Sequence, residues 1–280
     1  MTVGLIHPGE MGAAVGATLR GVGETVLWAS AGRSAATVEG AQQAGLEDVG
    51  SVQELSQRCD LLICLCPPHA AVAVAEAVPA FPGIYVDANA ISPARARALA
   101  ASAAMWTGVS SDRRRVTGDN SLYLSGLEAG SVAEVFGGTT LAATVVSDQP
   151  GVASALKMAY AAWTKGSAAL LLATRAVARA DGVEEALLRE WRTSRPHLEE
   201  QSAAAAGSAL REGWRWIGEM EEIAQTFAAA DLPDGFHLAA AEMYRRAANE
   251  AVDAEHPDPL FATIAARAAG DLSDQSRFKR

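Results

Sequence analysis

Strand and helix signals alternate along the first 150 residues of this chain, and then the strand signals stop. The apolar runs TVGLIH (2–7), TVLWAS (25–30), DLLICLC (60–66) and GIYVDAN (83–89) read as strands. Helical patterns at 11–21, 34–43, 53–59 and 70–78 separate them. Such alternation makes βαβ units, hence a parallel sheet with right-handed crossovers. DLLICLC has no polar alternation after Asp60, as expected of a strand covered on both faces. SLYLSG (121–126), a helix near 128–136 and LAATVVS (141–147) read as the tail of the same sheet. Beyond Pro150 only helical patterns remain, at 151–180, 183–193, 196–206, 208–229, 233–253 and 258–269, with 270–280 as a tail. The sequence therefore predicts an α/β domain over 1–150 and an all-helical domain over 151–280.

The chain has 280 residues and a formal net charge of −10. An acidic surface argues against nucleic acid or an anionic membrane as partner. No apolar run reaches the length of a membrane span. The cysteines are Cys59, Cys64 and Cys66. An odd count without an obvious leader suits a reducing cytoplasm. Alternation puts Cys64 and Cys66 on one strand face, where they read as buried inert thiols. No metal-ligand spacing accompanies them, so no metal is expected.

The first strand runs into GLIHPGEMG and then a small-residue helix. This is the place of the dinucleotide-binding turn of a Rossmann-type domain, with His7 where the first glycine of G-x-G-x-x-G stands. The helix N-terminus can hold a pyrophosphate. Gly9 lets backbone approach the phosphates, and Gly12 and Gly16 allow close helix–strand packing. His7, Pro8, Gly9, Glu10, Met11 and Gly12 are the candidate cofactor turn. After the second strand comes Ser30-Ala31-Gly32-Arg33-Ser34, without the acid that usually binds an NAD ribose diol. Ser30, Arg33 and Ser34 could hold a 2′-phosphate instead, which favours NADP over NAD. Cys66, Pro67, Pro68 and His69 would border the nicotinamide side.

Ligands of open α/β sheets bind beyond the carboxyl ends of the strands. There Asn89, Ser92 and Ser110 offer an amide and two hydroxyls. Ser92 also reads as the N-cap of a helix with Pro93 at its first position, and Asp87 as a carboxylate bonding its own loop. Lys157 lies on an otherwise apolar helical segment, with Tyr160 three residues on and sharing its face. A lysine facing a dry cleft can exchange a proton with a reacting oxygen. His69 reads as a helix cap, Arg192 to His197 as a solvated loop, and Arg113 to Arg115 as a charged turn. Trp214, Trp216 and Met220 read as core or dimer surface.

GLIHPGEMG, the GRS after the second strand, DANAISP, SLYLSG and GVASALKMAYAAWTKG, in this order, resemble the β-hydroxyacid dehydrogenase and 6-phosphogluconate dehydrogenase superfamily, to which imine reductases are related. The resemblance implies an NAD(P)-binding domain, a helical domain that forms an intertwined homodimer, and pockets between the two domains. It places the catalytic lysine on Lys157, the nicotinamide and substrate loop on Asn89 and Ser92, and the substrate-loop serine on Ser110. Four positions depart from the pattern: His7 replaces a glycine, Trp106 stands where an aspartate is usual, Ser111-Asp112 replaces a glycine pair, and Ala161 replaces an asparagine. Three of the four fall in the substrate region. The expected function is NADP-dependent hydride transfer between the nicotinamide and the carbonyl or hydroxyl carbon of a small molecule. Reduction of a C=N bond, with Tyr160 or a water as proton donor, and a non-catalytic NADP-binding dimer are the alternatives.

Overall fold

The structure, a computed structural model, describes residues 1–78, 80–102, 105–110, 120–248, 250 and 252–271; side chains are described for these except 101–102, 105–110, 120 and 266–271. The chain divides into two compact units, Met1–Met158 and Ala159–Arg280.

The first unit is built on one eight-stranded sheet of order β3-β2-β1-β4-β5-β6-β7-β8. Its strands are β1 (Thr2–Ile6), β2 (Thr25–Trp28), β3 (Glu47–Asp48), β4 (Leu61–Cys64), β5 (Ile84–Asp87), β6 (Met105–Ser110), β7 (Asn120–Ser125) and β8 (Leu141–Ser147). Its helices are α1 (Glu10–Gly21), α2 (Ala35–Gln43), α3 (Val52–Arg58), α4 (Ala71–Glu76), α5 (Pro93–Ser102) and α6 (Ala129–Val135). A short 3₁₀ turn, Pro68–Ala70, precedes α4. β1 to β6 are mutually parallel wherever they pair.

β4 shows why the centre of the sheet was readable. All four of its residues are buried. Leu61 and Ile63 join Val3, Leu5, Val15 and Leu19 on the α1 side, while Leu62 and Cys64 join Ile6, Leu55 and Leu99 on the other. Each face needs its own apolar set, so the strand reads as an unbroken apolar run. α1 packs closely on its face. A Cβ on Gly16 would stand 2.7 Å from Leu46 Cδ2 and 2.8 Å from Leu5 Cδ1.

Two features of the sheet differ from expectation. β3 was not foreseen, because two residues are too few for any periodicity. β7 runs antiparallel to β6, with Thr107 opposite Ser125 and Ser110 opposite Leu122. Only residues 111–119 join these strands, and a parallel crossover takes about a dozen residues or more.

Helix α7 (Val152–Ala180) begins in the first unit and ends in the second, which continues with α8 (Glu184–Ser194), α9 (Leu198–Ala229), α10 (Gly235–Ala248) and α11 (Asp258–Asp271). The sequence suggested two helices over 196–229, broken at Gly207-Ser208. The helix runs through. Gly207 is there for close approach, since a Cβ would lie 2.8 Å from the Ala254 carbonyl oxygen. The expected tail beyond 271 lies outside the described residues.

A buried guanidinium ties this unit together. Arg175 is 3% exposed. Its Nε and Nη2 donate to Glu184 Oε1 at 2.9 and 2.7 Å, and Nη2 also to Asp258 Oδ1 at 2.9 Å. Its guanidinium carbon lies 3.8 Å from the Phe261 ring centroid. Burial pushes Asp258 up, but hydrogen bonds from Arg175 and Arg179 outweigh it and hold the carboxyl below its ordinary value. A depressed carboxyl stabilises the fold above its unfolded pKa, and the gain is lost as pH falls through the folded one. Removing one partner of a buried pair costs about 3–5 kcal/mol. Arg175→Met is therefore expected to lose that much in urea unfolding of the whole chain, and a loss below about 1 kcal/mol would contradict the clamp.

Among the described residues, no helix is long and apolar enough to cross a membrane.

Candidate functional site

The parallel register aligns Ile6, Cys64, Asp87 and Thr107 across β1, β4, β5 and β6. The residues that follow them lie along one edge of the sheet. His7, Cys66, Asn89 and Ser110 are therefore all at the carboxyl ends of parallel strands, where a doubly wound sheet takes its ligands.

The turn after β1 shows how a histidine replaces a glycine. His7 has φ +61°, in the left-handed region that the first glycine of the motif would occupy freely. Histidine is among the non-glycine residues enriched there, but proline follows it, and a residue before proline is normally pushed toward extended backbone. The turn is closed by the Gly9 N–H donating to the His7 carbonyl at 2.8 Å. Gly12 fits beneath it, since a Cβ would lie 3.3 Å from the His7 oxygen and 3.4 Å from Pro8 Cβ. Gly9 is different. Its φ of −59° is one that any residue adopts, and a Cβ there would meet nothing within 4 Å. No described neighbour requires a glycine at this position. It opens α1, whose first turn has no side-chain cap. Open space over such a helix start fits a pyrophosphate. Pro8 is buried, and Glu10 and Met11 are exposed beside it.

The turn after β2 carries the Arg33 guanidinium back to this place. Gly32 has φ +72°, and the Arg33 N–H donates to the Ser30 carbonyl at 3.0 Å. Arg33 Nη1 lies 2.9 Å from His7 Nε2 and is also in contact with Nδ1. Burial, and then the Arg33 charge, lower the His7 pKa to about 4. Ser34 is the N-cap of α2, accepting from the Thr37 N–H at 3.3 Å. The sequence search found no acid at the end of β2. One reaches it from β3: Asp48 Oδ1 accepts from the Ser30 N–H at 3.2 Å and the Gly50 N–H at 2.8 Å. Its only signal was the Glu47-Asp48 pair, which no motif links to β2.

At the ends of β4 and β5, Asn89 fastens two loops. Its Oδ1 accepts from the Cys66 N–H at 2.6 Å, and its Nδ2 donates to Asp87 Oδ2 at 3.0 Å. Asp87 Oδ1 accepts from the Asn89 N–H, also at 3.0 Å. Asp87 thus bonds its own loop, as expected. Asn89 fixes the position of Cys66, from which Pro67, Pro68 and exposed His69 follow. Cys64 and Cys66 share a side, their sulfurs 3.7 Å apart. Burial pushes the Cys59 thiol up to about 12.

Ser92 is buried at the start of α5, its carbonyl accepting from the Ala96 N–H at 3.0 Å. The start of α7 is fixed beside it. A Cβ on Gly151 would lie 2.9 Å from the Pro93 carbonyl oxygen, and the Ala153 N–H donates to the buried Ser125 hydroxyl at 3.0 Å. Lys157 follows on this helix, half-buried. Ser110 ends β6, but its side chain lies outside the described ones, as do residues 113–115. Tyr160 and Trp163 are 59% and 75% exposed. Met220 is core, Trp216 meets Tyr244 edge-on with ring centroids 5.1 Å apart, and Trp214 is exposed. Arg192, Arg195 and His197 are exposed, and Arg192 pairs with Glu199 at 2.6 Å.

Residues 178–247 match a family model described as a domain of unknown function, DUF1932. No curated protein sequence matches the chain. Solved structures do. The conserved protein MTH1747, whose structure is described as similar to 3-hydroxyacid dehydrogenases, is 26% identical with a TM-score of 0.66, over 88% of this chain and 96% of its own. A 3-hydroxyisobutyrate dehydrogenase from Salmonella typhimurium is 17% identical with a TM-score of 0.65, over 93% and 99%. A reductive aminase from Aspergillus terreus, in complex with NADPH and ethyl levulinate, is 20% identical with a TM-score of 0.55, over 94% and 98%. The chain has the oxidoreductase-like fold of the hydroxyacid dehydrogenases and imine reductases.

Proposed function

We propose that this chain is an NADP-dependent oxidoreductase that moves hydride between the nicotinamide and the carbonyl or hydroxyl carbon of a small molecule. The observation that carries the reading is Gly9, a glycine that no described neighbour crowds, at a helix start without a side-chain cap and two residues from His7, which the Arg33 guanidinium touches. His7, Pro8, Gly9, Glu10, Met11 and Gly12 form the pyrophosphate turn. Ser30, Arg33 and Ser34 take the ribose 2′-phosphate, for which a guanidinium fork is well matched. Cys66, Pro67 and Pro68, held in place by Asn89, border the nicotinamide. Bound there, NADPH supplies the hydride. Lys157 gives a proton to the substrate oxygen, or takes one in the other direction, and Ser92, Asn89 and Ser110 orient the substrate. Reduction of a C=N bond is the second reading. The likeness to a reductive aminase favours it, and Tyr160 or a water is then the proton donor.

The protein is also proposed to act as a homodimer through its helical half. Tyr160, Trp163, Leu170 and Val177 form an exposed apolar stripe on α7, and a stripe repeating near every seventh residue suits a partner helix.

The test is a screen that follows NADPH absorbance against β-keto acids, aldehydes, ketones and cyclic imines, and NADP⁺ reduction with β-hydroxy acids. Turnover of the oxygen compounds supports the first reading, and turnover of the imines alone moves the assignment to the second. NADPH binding without turnover of any compound leaves a non-catalytic NADP-binding dimer.

A further inference from the structure

We propose that His7 and Arg33 together form one clamp for the ribose 2′-phosphate, and that His7 gains a proton as the phosphate arrives. This rests on the cofactor reading above and goes beyond it, because it makes cofactor choice depend on proton uptake.

A histidine before proline held at φ +61° is strained, where glycine would be free. Strain of this kind persists where the surrounding structure fixes it, and it often marks a functional position. What the strained conformation achieves here is visible. It aims the imidazole at the β2–α2 turn, where Arg33 Nη1 lies 2.9 Å from Nε2. A guanidinium has donors only. Nη1 touches both ring nitrogens, so whichever of them bonds it must accept, which a neutral imidazole allows and an imidazolium does not. Its lowered pKa, about 4, agrees, with burial the larger cause and Arg33 the second.

Four elements beside His7 carry charged or titratable groups. Arg33 comes from the β2–α2 turn and Glu10 from the first turn of α1. Asp48 comes from β3, its Oδ1 turned to the Ser30 and Gly50 N–H groups. Cys64 ends β4, which pairs with β1, and Cys66 follows it, held neutral by its contact with Cys64 and then by burial. Among the described groups, Arg33 alone adds to burial in setting the His7 proton affinity.

A phosphate changes this balance. An oxygen accepting from Arg33 Nη1 at an ordinary hydrogen-bond distance lies within about 6 Å of His7 Nε2. A phosphate monoester carries close to two negative charges near neutral pH. Such an anion offsets the guanidinium that had lowered the ring's proton affinity, and it favours imidazolium. Both cations then face the phosphate rather than each other. The signs follow from linkage. A group that binds a proton more tightly in the complex makes binding stronger as pH falls. The window runs from the value in the complex down to about 4 in the free protein. NAD⁺ has no 2′-phosphate and should show no such uptake. The phosphate's own protonation, near pH 6, works in the opposite direction. The free cofactor's share of this is common to wild type and variant, and comparing them removes that share.

The deciding experiment is calorimetry of NADP⁺ and NAD⁺ binding near pH 6, in two phosphate-free buffers of different ionisation heat, on the wild type and His7→Gly. Glycine adopts the left-handed turn without strain, so this variant folds, which its unfolding midpoint checks. The wild type is expected to take up about half to one proton more than His7→Gly on binding NADP⁺, and no more on binding NAD⁺. His7→Gly should also lose about tenfold in NADP⁺ affinity while NAD⁺ affinity is unchanged. Equal proton uptake in two proteins that both bind NADP⁺ would overturn the clamp and leave the cofactor reading standing. Failure of the wild type to bind either cofactor would overturn both.

Discussion

Gly9→Val is expected to abolish cofactor binding while the fold stays intact. Most glycine substitutions in such a turn confound the two effects. Gly12→Val would press on the His7 carbonyl and Pro8, and Gly16→Val on Leu5 and Leu46, so each would disturb packing as well as binding. Gly9 has no such neighbours and no positive φ. The cost of a branched side chain at this helix start is about 1 kcal/mol, the usual loss for a poor N-cap. A valine would, however, fill the space through which a pyrophosphate reaches the N–H groups of α1. The expected result is a fall of more than about 100-fold in NADPH affinity, roughly 3 kcal/mol, with stability in urea changed by no more than about 1 kcal/mol. Unchanged affinity would mean that no ligand approaches this turn.

Lys157→Met should separate chemistry from binding. The methionine keeps the length and apolar stem of the side chain and removes the ammonium. If Lys157 transfers the proton, turnover falls by about 10²- to 10⁴-fold on whichever carbonyl substrate the screen identifies. Cofactor affinity stays within about twofold, because the cofactor turn is built from other residues. A loss that appears in KM with turnover unchanged would make Lys157 a substrate-binding cation instead. Retention of full imine reduction in the same variant would point to Tyr160 or a water as donor.

The sequence was legible where the chain had to cover long surfaces. β4 needed an apolar residue on each face at every step, and α1 needed Gly16 to approach the sheet. Both requirements leave a pattern in the residues. It was not legible where geometry depends on distant partners. Nothing in Glu47-Asp48 announces a strand, and nothing local shows that Asp48 holds the Ser30 N–H. Gly207 has the composition of a helix break, but it is set by the Ala254 carbonyl on another segment. The antiparallel β7 followed from a short connection rather than from the strand itself. The site was legible as a set of strand ends. The His7–Arg33 contact was not, since it joins two turns 26 residues apart and requires a backbone conformation that histidine before proline seldom takes.

The proposed preference for NADP depends on Arg33 as the reader of the 2′-phosphate. Titration of NADPH against NADH on the wild type and Arg33→Ala tests this most directly. The expected result is a clear wild-type preference for NADPH, lost in the variant because NADPH weakens by about 10- to 100-fold, roughly 1.4–2.8 kcal/mol, while NADH is little changed. Equal binding of the two cofactors by the wild type, or a preference that survives in Arg33→Ala, would contradict it.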